Sequence, residues 1–116
     1  MTDKKQIGPT RENREVLAQL METGCFAEQQ DAAKFAMSLA VVRGATATEA
    51  RGTDTAWAGS QFDDTGEVRA LLDALVPNGE PYRTAEALLN EGLRIIGAEH
   101  QGRRLDLLAL IHAEVT

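Results

Sequence analysis

ENREVLAQLMETGCFAEQQDAAKFAMSLAVVRG, residues 12–44, settles the fold class. Its apolar residues fall at helical spacing in two separate blocks. Val16, Leu17, Leu20 and Met21 make one stripe. Ala32, Phe35, Ala36, Leu39 and Ala40 recur at i, i+3, i+4, i+7 and i+8 and make a second. Thr10 is a suitable cap for a first helix over 11–23, and Gly24 supplies the left-handed residue that stops it. A second helix is expected over 27–43, with Arg43 favourably placed against its dipole and Gly44 closing it.

Upstream, residues 1–10 (MTDKKQIGPT) are polar, and Gly8-Pro9 breaks any regular element. They read either as a short edge strand around 5–7 or as an arm. Downstream, 45–62 is small, polar and aperiodic, a long loop tied to the core by Trp57 and Phe62. Asp63 or Asp64 can cap a third helix whose inner stripe is Val68, Leu71, Leu72 and Leu75, ended by Pro77. The run Pro77-Asn78-Gly79-Glu80-Pro81 is a turn, with Pro81 at the first position of a fourth helix. Tyr82, Ala85, Leu88, Leu89, Leu93 and Ile96 give that helix its inner face, and Gly97 or Gly102 its end. A last helix over 105–113 presents Leu105, Leu108 and Ile111, with Val115 beyond. The expectation is one mainly all-α domain over 1–116. It has an arm or strand (1–10), a helical pair (11–44), a loop (45–62) and C-terminal helices (63–113).

Composition agrees. A chain of 116 residues can bury a core without disulfides or metal. The only aromatics are Phe26, Phe35, Trp57, Phe62 and Tyr82, so the core must be mainly Leu, Ala, Val and Ile, which suits packed helices. Nothing reads as a signal peptide or a membrane span, and the lone Cys25 leaves no internal disulfide. A cytoplasmic protein without membrane association is expected.

The net charge of −6 is unevenly spread. Residues 1–51 hold seven Lys/Arg and seven Asp/Glu, whereas 52–116 hold five against eleven. Polyanion binding is therefore not advertised by the whole chain. Lys4, Lys5, Arg11 and Arg14 make a mildly basic first segment where phosphate contacts could start.

Residues that could carry chemistry are sparse. His100 and His112 lie on different expected elements, and no His/Cys/Asp spacing suits a metal. Cys25 lies near the start of the second helix, where a thiol can be activated, but no base accompanies it, and a buried turn cysteine is expected. Asp63-Asp64 reads as a helix cap rather than a catalytic carboxylate pair. Trp57 reads as a loop anchor rather than a stacking platform. No glycine-rich phosphate loop occurs. The sequence thus predicts a non-enzyme with no catalytic residue, metal or cofactor.

An arm or strand, a helix of about a dozen residues, a Gly turn and a longer Ala-rich helix resemble a ribbon-helix-helix unit, which dimerises by pairing strands that read DNA. The longer layout resembles the DndE family of small DNA sulfur-modification proteins. LAQLMETG, AAKFAMSLA, TDTAWAGSQFDD and LLNEGLRIIG with its Gly92 carry that resemblance, which extends from about Glu12 to Ile111. It implies a non-enzymatic, DNA-associated accessory protein of a DNA-modification or defence system, acting as a helical homo-oligomer. Lys4, Lys5, Arg11, Arg14 and Lys34 would touch phosphate. Two features depart from that pattern: Gly8-Pro9 interrupts the strand, and there are only three lysines. A second expectation draws on the acidic half: an adaptor or antitoxin-like protein whose residues 67–99 dock a basic protein without DNA binding.

Overall fold

The computed structural model describes residues 3–46 and 50–100. Over the described residues the chain is mainly α-helical with one short two-stranded antiparallel sheet. Elements run β1 (Gln6–Ile7), α1 (Asn13–Glu22), α2 (Gln29–Val42), β2 (Trp57–Ala58), α3 (Gly59–Phe62), α4 (Glu67–Leu75) and α5 (Pro81–Glu99). The helical pair is where the sequence puts it. Thr10 Oγ1 accepts from the amide of Asn13 at 3.3 Å, and Gly24 and Gly44 close the two helices in left-handed backbone. Leu17 and Leu20 of α1 are buried, with Val16 and Met21 packed on the same core.

The core is organised around α5. Ala85, Leu88, Leu89, Leu93 and Ile96 are buried as their periodicity predicts, and so are Thr84, Glu86, Ala87 and Asn90. A helix buried on more than one face is central, not peripheral. Its main neighbour is α2, which presents Ala32, Ala33, Ala36 and Ala40, all fully buried. Small side chains there let the two backbones approach closely. At the crossing, a Cβ on Gly92 would stand 1.8 Å from the carbonyl oxygen of Ala36. Only glycine fits, because the obstacle is backbone.

Three expectations need correction. Residues 45–62 are not all loop, for they contain β2 and the single turn α3. The partner of β2 lies some fifty residues upstream, and local periodicity carries no trace of such a pairing. The third helix begins at Glu67 rather than directly after its aspartates, because Gly66 adopts φ 79° first. Its expected inner stripe is only half inside: Val68 and Leu72 are buried, while Leu71 and Leu75 are 42% and 51% exposed. The fourth helix runs through Gly97 to Glu99. The last helix expected, over 105–113, and the alternative end at Gly102 lie outside the described residues.

The α2–α5 crossing yields a test. Gly92→Ala should destabilise the protein by about 3 kcal/mol, at the upper end for an overpacked core, and lower the urea midpoint accordingly. Ala98, exposed on the same helix, is the control: Ala98→Gly should cost only about 1 kcal/mol, the ordinary propensity loss.

Candidate functional site

The segment that carries most of the expected phosphate-binding residues is built into the fold. Carbonyls of Lys5, Ile7 and Pro9 accept from the amides of Gly59, Ala56 and Asp54, at 2.9, 3.1 and 2.9 Å. Groups on the opposite edge turn to α5. The Gly8 amide donates to Glu86 Oε2 at 3.0 Å, and the Thr10 amide to Asn90 Oδ1 at 2.8 Å. Asn90 Nδ2 donates back to the Gly8 carbonyl at 3.1 Å, and Asn13 Nδ2 reaches Asn90 Oδ1 at 3.0 Å. Two residues of extended chain advance about 6.6 Å, and four residues of helix about 6 Å. The near match lets Gly8 and Thr10 meet Glu86 and Asn90, one helical turn apart.

Asp3 completes the tie. Its carboxylate accepts from the amides of Tyr82 and Arg83, both at 2.9 Å, and so caps the first turn of α5 from the far end of the chain. These amides have no partner inside their own helix, and a negative charge there complements its dipole. Asp63 does the same for α4, accepting from Val68 and Arg69 amides at 2.9 and 3.0 Å. The capping role expected of the aspartate pair is thus filled by Asp63, which is buried. Tyr82 donates its hydroxyl to Asp63 Oδ2 at 3.1 Å. Burial first, then this hydrogen bond and the adjacent negative charge, raise the Tyr82 phenol above its ordinary range.

The five expected phosphate contacts are not equivalent. Lys4 turns inward, where its ammonium pairs with the buried carboxylate of Glu86 and lies 3.3 Å from Thr53 Oγ1. Lys5 and Arg11 are exposed. Arg14 is exposed too, and its guanidinium meets Asp54 at 3.0 Å. Lys34 stands on α2 with its ammonium 5.4 Å from the centre of the Phe62 ring. Thr10 bridges Thr53, which brings exposed Arg51 beside the Arg11–Arg14 segment. Sequence reasoning misses Arg51 because nothing local links it to the arm.

Beside this segment is a depression of about 300 Å³, lined by Thr10, Glu12, Asn13, Asn90, Glu91 and Arg94 among others. Glu91 and Arg94 pair on its rim at 3.0 Å, which lowers the Glu91 carboxyl below its usual range. Asn13 and Asn90 spend their amides on each other and on backbone.

Cys25 is exposed, contrary to the buried position expected, because the α1–α2 turn leaves Gly24, Cys25 and Ala27 in solvent. Its thiol lies 3.9 Å from the Thr23 carbonyl oxygen. Trp57 is a buried anchor as expected, packed on Phe62 with ring centres 5.7 Å apart. His100 is half-buried at the end of α5, and His112 lies outside the described residues. Among the described residues, no three His, Cys, Asp or Glu side chains gather as a metal site, and no helix is long and apolar enough to cross a membrane.

Comparison with family models, curated proteins and solved structures gives no match.

Two measurements check this geometry. Glu86→Ala leaves Lys4 and the Gly8 amide without their acceptor, and should cost about 3 kcal/mol in urea unfolding, as breaking a buried ion pair does. Glu86→Gln, which can still accept from Gly8, should cost less; equal midpoints for all three proteins would contradict the tie. Tyr82 is the sole tyrosine, so an ultraviolet titration reads it directly, and its midpoint should lie above the ordinary phenol range. Since the folded pKa is raised, this contribution to stability is fully present below the unfolded value. It is lost as pH rises through the folded one.

Proposed function

We propose that this chain is a non-enzymatic, DNA-associated accessory protein of a DNA-modification or defence system, working as an oligomer. The observation that carries the reading is the setting of the basic residues. Lys5, Arg11 and Arg14 are exposed on or directly after a segment held by β2 and α5 instead of waving on a solvated tail, and exposed Arg51 lies two residues from Thr53, which bridges Thr10. Ordered cations lose less entropy on meeting phosphate than mobile ones do. The resemblance of the sequence layout to that of the DndE family favours the same reading. Oligomerisation would need another route than ribbon-helix-helix strand pairing, since one edge of the arm pairs with β2 and the Gly8 groups on its other edge are taken by α5. Lys4 contributes by fixing the arm, and Lys34 belongs to a separate position on α2.

A second reading has its own observation. Several basic side chains are matched internally, as in Lys4–Glu86, Arg43–Glu99, Arg69–Asp73 and Arg94–Glu91. The surplus of eleven acids over five bases in residues 52–116 would suit an adaptor for a basic protein.

The test reverses charge at Lys5, Arg11, Arg14 and Arg51 and leaves Lys4 intact, because its loss would unfasten the arm. Binding of intact and nicked duplexes is measured across a salt series. For every phosphate neutralised by one of these side chains, reversal should flatten the slope of log affinity against log salt by about 0.9. An unchanged affinity and slope would remove the DNA reading and leave the adaptor reading standing.

A further inference from the structure

We propose that the outer face of α4 is a docking site for a basic amphipathic helix of a partner protein. The inference rests on the adaptor reading and gives it a surface. Helix α4 is divided lengthwise. Val68 and Leu72 enter the core, whereas Ala70, Leu71, Ala74 and Leu75 all face solvent. Those four positions, spaced i, i+1, i+4 and i+5, form a continuous seam of two turns, the form in which one helix presents itself to another. Leu71 and Leu75 are two of the three large hydrophobic residues that stand exposed among the described residues; the third, Val42, is at the end of α2.

The charges around the seam choose the occupant. Asp64, Glu67 and Asp73 are exposed on or just before α4, against the single Arg69. Arg69 is matched to Asp73 at 3.8 Å, which leaves α4 with no other cation of its own to offset Asp64 and Glu67. A second copy of the chain, meeting this face by two-fold symmetry, would bring the same acidic rim against itself. Two leucines per copy are little apolar area to set against that repulsion. A helix with apolar residues at i, i+3, i+4 and i+7 and Lys/Arg on its flanks meets both needs. It covers the leucines and neutralises the rim.

The probe is a synthetic helical peptide of Leu, Ala and Lys with that spacing, titrated into the full chain by calorimetry and by amide chemical shifts. Two control peptides keep the charge: one is scrambled to break the apolar stripe, the other replaces Leu with Ser. The designed peptide should bind with shifts centred on residues 64–78. Leu71→Ser/Leu75→Ser and, separately, Asp64→Lys/Glu67→Lys should each weaken it at least about tenfold, the loss of one good anchor or charge match. Both variants alter exposed positions, and unchanged thermal midpoints would exclude unfolding as the cause. Equal binding of the scrambled or Ser peptide, without sensitivity at Leu71 and Leu75, would overturn the site while leaving an acidic adaptor standing. No binding of any basic peptide would overturn both. A wild-type dimer that Leu71→Ser/Leu75→Ser converts to monomer would overturn the proposal and give this face to a second copy.

Discussion

An extended arm lying against the polar row of a buried helix governs this fold. Glu86 and Asn90 stand one turn apart on α5, and the amides of Gly8 and Thr10 are two residues apart on the arm, so the spacings of strand and helix coincide. A buried carboxylate is costly without partners. Here Glu86 has the Lys4 ammonium and the Gly8 amide, and Asn90 has four backbone or side-chain partners around it. Each side supplies what the other lacks. The arm's second edge is satisfied by α5, and the polar groups of α5 are satisfied by the arm.

From that tie the remaining geometry follows. With the arm fixed, Ile7 enters the core and β1 offers its other edge to β2, which draws Trp57 inward against Phe62. The close approach leaves no room for a side chain on Gly8, whose Cβ would meet the Asp54 carbonyl oxygen at 2.2 Å. Asp3 reaches the start of α5, and Tyr82 joins that helix to Asp63 and hence to the start of α4. Polar networks of this kind define register, because a slip of one residue would orphan several buried groups at once. The same arrangement sorts the basic residues into those that hold the fold, such as Lys4, and those that face solvent, such as Lys5, Arg11 and Arg51.

Much of this is legible in the residues alone. Periodicity marks α1, α2 and α5 and most of their buried positions, since apolar spacing is a local signal. Gly92 stands out in the sequence only within the motif LLNEGLRIIG; its role at the α2 crossing depends on the partner helix, which no single segment reveals. Glu86 and Asn90 are hidden for the same reason, although a polar pair at i, i+4 on a helix otherwise apolar on several faces is a signal that points to them. The inward turn of Lys4 is invisible to charge counts, which treat every lysine as solvated. For α4 the stripe is right in period and too broad in burial: one narrow helix touches the core along one line, and Leu71 and Leu75 lie off it.

Native-state hydrogen exchange at the amides of Gly8 and Thr10 probes the arm–helix tie most directly. If the arm is part of the core, both should exchange only through global unfolding, with the same free energy and urea dependence as the amides of Leu89 and Leu93 in α5. Rapid exchange of Gly8 and Thr10 by local fraying, with α5 still protected, would show that the arm is an appendage and that the fold does not depend on it.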